Sequence, residues 1–194
     1  VSFSASFAQQ QPAPEAAAYD QLPTPAIYIE NDMTRNTVRK LISDQRTSIR
    51  NMWDGTVALN NPENNFDRWF NDFIFPPMTQ LDRLDQLDQN RTEFFKTYLL
   101  NVKFLEDDTQ RGNVENAHTH LVALTLRFMK DVVNGNYHPA VRFNALLIIG
   151  RLNDTEATEL STGKPIVPKP STVALEFVVG QLGKADQIDA LQLA

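Results

Sequence analysis

Apolar residues recur through most of this chain at intervals of three and four, the spacing that gathers them on one face of an α-helix. The clearest instance is YHPAVRFNALLIIGRLND, residues 137–154. Val141, Ala145, Ile148, Ile149 and Leu152 form its apolar stripe. His138 stands where a cap belongs, and Pro139 occupies the first helical position, where a missing N–H costs nothing. Gly150 is expected to let another helix approach closely, at about 1 kcal/mol relative to Ala. Asn153-Asp154 is the expected polar stop.

The same pattern predicts helices on both sides. A first one starts at Asn31, Asp32 or Thr34 and runs to about Trp53, with Val38, Leu41, Ile42, Ile49, Met52 and Trp53 inward. Asn61-Pro62 starts a second, whose Phe66, Trp69, Phe70, Phe73 and Ile74 make a dense aromatic face before Pro76-Pro77 stops it. Core packing is the expected role of that face over an aromatic ligand pocket, since each ring buries on the order of 150–250 Å². Leu81, Leu84 and Leu87 then step by three beside Asp82, Asp85 and Asp88. Asn90 and Glu93 read as a capping pair for a helix carrying Phe94, Phe95, Tyr98, Leu99 and Val102. Glu106-Asp107-Asp108 reads as an acidic turn leading to Gly112. A long helix from about Asn113 to Val133 follows, with Val114, Ala117, Leu121, Leu124, Phe128, Met129 and Val132 as its stripe. Asn134-Gly135-Asn136 closes it so near to Pro139 that the two helices are expected to form an antiparallel hairpin. Ser171 or Thr172 starts another helix with Val173, Ala174, Phe177, Val178 and Leu182. Asp186 opens one more, with Ile188 and Leu191, and that apolar pattern reaches Ala194, so a longer protein is expected.

Two stretches break the helical rhythm. Residues 1–30 contain Ser6-Phe7-Ala8 before Gln9, similar to the small-residue end of a secretory signal peptide, which predicts an exported protein, periplasmic or extracellular. Gln9 to Pro25, with Pro12, Pro14, Pro23 and Pro25, is expected to be a flexible linker. Residues 153–170 carry Pro165, Pro168 and Pro170 without periodicity. They are expected to be an insertion loop, either the part that touches a partner, with Lys164 and Lys169 as its cations, or a flexible insertion with no role.

Composition narrows the function classes. The chain has 194 residues and a formal net charge of −6, which argues against non-specific binding to nucleic acid. It has no cysteine, so disulfides, thiolate metal sites and a Cys nucleophile are excluded. No apolar run approaches the roughly 18 residues of a membrane span. Arg35, Arg39, Arg46 and Arg50 share one face of the first helix; they suit an anionic partner or, more simply, a solvated surface.

The usual catalytic signatures fail one by one. His118 and His120 lie about 200° apart around a helix and do not share a metal. Glu115 and His118 form a Glu-x-x-His step, but Gly135 stands three residues before His138, so the second step of a di-iron bundle is missing. His118 is expected to be a core or boundary residue. Thr158 and Pro165 replace the first glycine and the Ser/Thr of a phosphate loop around Gly163-Lys164. The Asp82, Asp85, Asp88 series lacks the alternate-residue ligands and turn glycine of a calcium loop. No catalytic residue, cofactor or metal is assigned.

The helix PAVRFNALLIIGRL resembles the second helix of a HEAT-type repeat, in its Val141-Arg142 step, the small Ala145, and Gly150 before Leu152, with Pro139 ahead of them. The Asn113–Val133 helix takes the place of the first helix, and Val173–Leu182 with the segment after Asp186 looks like the next pair. The resemblance covers residues 113–194, interrupted by the 153–170 insertion; the aromatic helices of residues 31–110 stand outside it as a divergent cap. It implies an all-α fold, a short α-solenoid of stacked antiparallel helix pairs across residues 111–194. It also implies a structural role for Arg142, bonding neighbouring loops or helices, with Asp154 as its expected partner. The functional expectation is a non-enzymatic scaffold presenting a helical surface to a protein partner. The alternatives are a helical ligand-binding or enzymatic domain built on the aromatic cluster and arginine stripe, or the helical N-terminal region of a larger exported enzyme.

Overall fold

The structure is a computed structural model and describes residues 19–23, 32–60, 62–100, 105–159 and 165–184. The segment around Ala8, Lys164 and the helix expected after Asp186 lie outside these residues, as do Asn61 and Val102. The described residues are mostly helical, and the strands among them are short and confined to one arm. Helix α1 spans Asp32–Trp53 and α2 spans Pro62–Trp69, continued by a π-helical turn over Phe70–Ile74. Two 3₁₀ turns, Pro76–Thr79 and Leu81–Gln86, lead into α3, Leu87–Phe94, and a second π turn, Phe95–Leu99. Helices α4 (Asp108–Asn134) and α5 (Pro139–Ile149) pack on each other more extensively than any other pair of helices. The arm follows, and α6, Thr172–Leu182, packs against α5.

The aromatic residues of α2, α3 and the π turns fill the core. Phe66, Phe70, Phe75, Phe94 and Phe95 are buried and meet mostly edge to face, as Phe70 does with Phe94 and Tyr98. This is the geometry their ring quadrupoles favour. The Trp69 indole N–H donates to the Tyr98 hydroxyl at 3.2 Å. Burial raises the Tyr98 pKa above its ordinary 10.0; the Trp69 bond and the Arg46 charge oppose that shift. The rings pack on one another in the interior, as the core-packing expectation had it.

Several boundaries differ from the sequence reading, each for a local reason. Helix α4 starts at Asp108, because the Asp107 carboxylate caps the Gln110 N–H at 2.8 Å and Arg111 pairs with Asp108. The acidic residues expected in a turn are therefore the helix cap, and Gly112 lies inside α4. The chain turns instead at Gly55, whose φ of 72° favours glycine and whose carbonyl accepts from Asn113 Nδ2 at 2.9 Å. Asn90 and Glu93 do not cap α3. That helix begins three residues earlier, and Glu93 accepts from Gln89 instead. The leucine step of three over Leu81–Leu87 is expressed as a 3₁₀ turn, whose three residues per turn match it. Leu87 is buried and all three aspartates are exposed.

Residues 19–23, inside the expected flexible linker, form a strap against the folded body. The Leu22 N–H donates to Thr79 Oγ1 (3.1 Å), Gln80 Nε2 donates to the Leu22 carbonyl (2.6 Å), and the Asp20 N–H donates to the Asn136 carbonyl (2.8 Å). Tyr19 meets the His138 ring edge-on at 5.1 Å.

Residues 153–170 contain a β-hairpin arm where a loop was expected. Strands β1 (Asn153–Thr155) and β4 (Lys169–Pro170) pair antiparallel, as do β2 (Thr158–Glu159) and β3 (Pro165–Ile166). The Ser171 N–H closes the base on the Leu152 carbonyl at 3.0 Å. The prolines fit because a two-stranded ladder leaves outward edges where no donor is needed.

Candidate functional site

The hairpin arm is pinned to α4 by buried polar groups. Glu156, 4% exposed, accepts from Asn153 Nδ2 at 2.8 Å, and its Oε1 lies 3.6 Å from His118 Nε2. His118 is itself 4% exposed, a core histidine as the sequence suggested. Neither of those two facing atoms has a hydrogen-bond partner among the described residues. The seat of the arm is therefore close contact of two titratable side chains in a dry setting, where each depends on the other for compensation.

Fixing the arm there opens a groove of about 590 Å³ between α4, the arm base and the start of α6. From α4 come Thr119, Val122, Ala123, Leu126, Arg127 and Lys130, at i, i+3, i+4, i+7, i+8 and i+11 along one helical face. The opposite wall is Asp154 of β1, Ser171 at the cap of α6, and Val173 in its first turn. The floor is apolar, and two cations and one acid stand around it.

Lys130 reaches α6, with Nζ 5.1 Å from the Phe177 ring centroid. Arg127 is 69% exposed on its side chain and 4.0 Å from Asp67 Oδ2, so the pair is a weak surface contact. The other Asp67 oxygen meets His120 Nε2 at 2.6 Å, tying α2 to α4.

The apolar surface continues beyond the groove. The α6 stripe assigned to the core from sequence is only partly inward: Ala174 is buried and Phe177 and Val178 are half-buried, whereas Val173 and Leu182 are exposed. Leu175, Val179 and Leu182, at i, i+4 and i+7, form an exposed stripe on the other side of α6. Phe143 and Leu147 are exposed one turn apart on α5.

The arginine stripe is not part of this site. Arg39, Arg46 and Arg50 are exposed on α1, and Arg50 pairs with Asp54 at 3.8 Å; Arg35 lies in α1 with its side chain outside the description. Lys169 is exposed on β4, opposite Thr155.

Val141, Ala145 and Leu152 are buried, and Pro139 follows His138, whose Nδ1 accepts from the Ala140 N–H at 3.2 Å. Arg142 bonds a neighbouring helix, but its partner is the Val133 carbonyl at the end of α4 (2.8 Å); Asp154 lines the groove instead. A Cβ on Gly150 would meet Val178 at 3.9 Å, ordinary contact, so close helix packing does not require that glycine.

Sequence reasoning missed Ser171, Arg127 and Lys130 as site residues. Val122 and Leu126 are apolar positions left off the core stripe of α4, and they signal a second face.

Among the described residues no group of three or more His, Asp or Glu is placed to hold a metal ion, and no helix is long and apolar enough to cross a membrane. Comparison with family models, curated proteins and solved structures finds no match to the chain.

Proposed function

We propose that this chain is a non-enzymatic helical scaffold that binds a segment of a protein partner along the groove between α4, the arm and α6. The observation that carries this reading is the apolar floor of that groove on α4; the exposed stripe Leu175, Val179 and Leu182 on the far side of α6 is a second apolar surface. Exposed apolar residues arrayed along one helix, beside a cleft with a polar rim, fit a protein contact surface. Among the described residues, the buried aromatic rings and the outward Arg39, Arg46 and Arg50 support this reading over the alternative ligand pocket.

We further propose that α4 and α5 are one HEAT-like repeat hairpin and that α6 begins the next. The close α4–α5 packing, the start of α5 at His138-Pro139 and the Arg142 bond to the end of α4 support this reading. In such stacks each hairpin leaves an apolar side for a neighbour.

Photocrosslinking tests the binding surface. A photoreactive phenylalanine analogue is placed at Val173, at Val179 or, as a control, at Arg39 of the full chain expressed in its own host. A partner should be captured from Val173 more strongly than from Val179, and capture from Val173 should be lost when Ala123 and Leu126, on the groove floor, are changed to Lys with helicity retained. Equal capture from Arg39, or capture insensitive to those changes, would count against the reading.

A further inference from the structure

The strap Tyr19–Pro23 lies in a stretch whose proline, alanine and glutamine content encodes a linker, not a packed element. Its own side chains engage the body only lightly: Asp20, Gln21 and Pro23 are exposed, and Tyr19 and Leu22 are half-buried. What holds it is the seat beneath, and the seat is where recognition resides.

One end of the seat clamps the main chain. Thr79 Oγ1 accepts from the Leu22 N–H at 3.1 Å, and Gln80 Nε2 donates to the Leu22 carbonyl at 2.6 Å. Thr79 and Gln80 are 1% and 8% exposed. Both side chains are also aimed by the body of the fold. The Thr79 hydroxyl donates to the Pro76 carbonyl at 2.9 Å, which leaves its lone pairs for the strap, and Gln80 Nε2 lies 3.4 Å from the same carbonyl. The adjacent Leu81 N–H donates to Gln21 Oε1 at 3.1 Å.

The other end is set by the connection between α4 and α5. The Asn136 carbonyl accepts from the Asp20 N–H at 2.8 Å, and the His138 ring meets the Tyr19 ring edge-on at 5.1 Å. The His138 ring is held independently of the strap, because its Nδ1 accepts from the Ala140 N–H. The seat thus reads the backbone at Asp20 and Leu22, an aromatic ring, and an aliphatic side chain three residues later. One strap residue fits it poorly. Burial, then the charges of Asp20 and Asp131, raise the Tyr137 pKa above its ordinary 10.0, so two acids act on one phenol. A neutral or basic residue suits the Asp20 position better, since it removes the like charge.

We propose that this seat is a binding site for a non-helical peptide segment of a protein partner, and that Tyr19–Pro23 occupies it in cis. The segment carries an aromatic residue, a neutral or basic residue next to it, and an aliphatic residue three positions after the aromatic. The site shares no residue with the groove between α4 and α6 and does not rest on that reading. Only residues 24–31 separate the strap from α1, and a short tether gives an effective concentration on the order of millimolar. A partner segment therefore gains the seat by binding better than the strap, or once the strap is weakened.

Fluorescence anisotropy with full chains tests this. The probe is a labelled, acetylated and amidated peptide of residues 18–24. Tyr19→Ala with Leu22→Pro weakens the strap in place, removing its ring and its N–H donor and leaving the seat intact. The probe should bind this variant at least about 10-fold more tightly than the unaltered chain. N-methylation of the probe at its Leu22 position should weaken binding about 3- to 10-fold, the loss of one hydrogen bond, with the protein unchanged. Asp20→Lys in the probe should tighten binding about 2- to 5-fold, the range of an exposed charge contact. Equal binding to the two chains, equal binding of the N-methylated probe, or no binding to the weakened chain would each overturn the site. A Lys probe no tighter than the Asp one would overturn the preference at that position.

Discussion

Replacing glycine by alanine at two positions should move stability in opposite directions, because the two glycines do opposite work in the fold. At Gly55 the backbone has φ of 72°, and an added Cβ would sit 2.5 Å from the Gln110 carbonyl oxygen and 2.9 Å from Leu105 Cδ1. The left-handed conformation costs a non-glycine residue about 1–2 kcal/mol. Relieving contact with backbone adds about 1–3 kcal/mol of overpacking. The displacement also strains the Asn113 bond to the Gly55 carbonyl, so Gly55→Ala should destabilise by roughly 2–5 kcal/mol. At Gly112 no heavy atom lies within 4 Å of the added Cβ, and the residue is inside α4. Gly112→Ala should therefore stabilise by about 0.8–1 kcal/mol. Urea unfolding followed by far-UV circular dichroism reads both. A destabilising Gly112→Ala would refute the assignment of α4 from Asp108 and restore Gly112 to a turn. An unperturbed Gly55→Ala would refute the junction of α1 with α4.

Phe94→Ala, at a side chain 2% exposed within the aromatic cluster, should cost about 3–5 kcal/mol in the same assay. Asp107→Ala removes the side-chain cap of α4 and should cost about 1 kcal/mol, whereas Asp85→Ala, at an exposed position, should be close to neutral. Because burial raises the Tyr98 pKa, the native state holds that proton more tightly than the unfolded chain. Its contribution is present in full below the unfolded value near 10.0 and is lost as pH rises through the higher folded value; Tyr98→Phe should flatten that part of a stability–pH curve.

Much of the helical framework was legible because its signals are local and repeated. The stripe on α5, the His138-Pro139 start and the aromatic face of α2 need only sequence spacing to be seen. The start of α4 was misread because Asp107, Asp108 and Gly112 together look like a turn; the capping bond from Asp107 decides otherwise. The arm was missed because its strands are two or three residues long, too short for an alternating pattern, and its prolines usually mark loops. The groove depends on where the arm folds back. That position rests on Glu156 reaching His118 from 38 residues along the chain, a pairing that periodicity does not encode. Ser171 was recognised as a helix start, but its bonding to Leu152 and its place in the groove are tertiary facts.

Amide hydrogen exchange of the full chain, with and without the partner captured by crosslinking at Val173, tests the groove most directly. The account predicts added protection over Thr119–Lys130 of α4 and over Thr172–Leu175 at the start of α6, with α1 unchanged. Protection along the α1 face that carries Arg39, Arg46 and Arg50, with the groove unchanged, would contradict it.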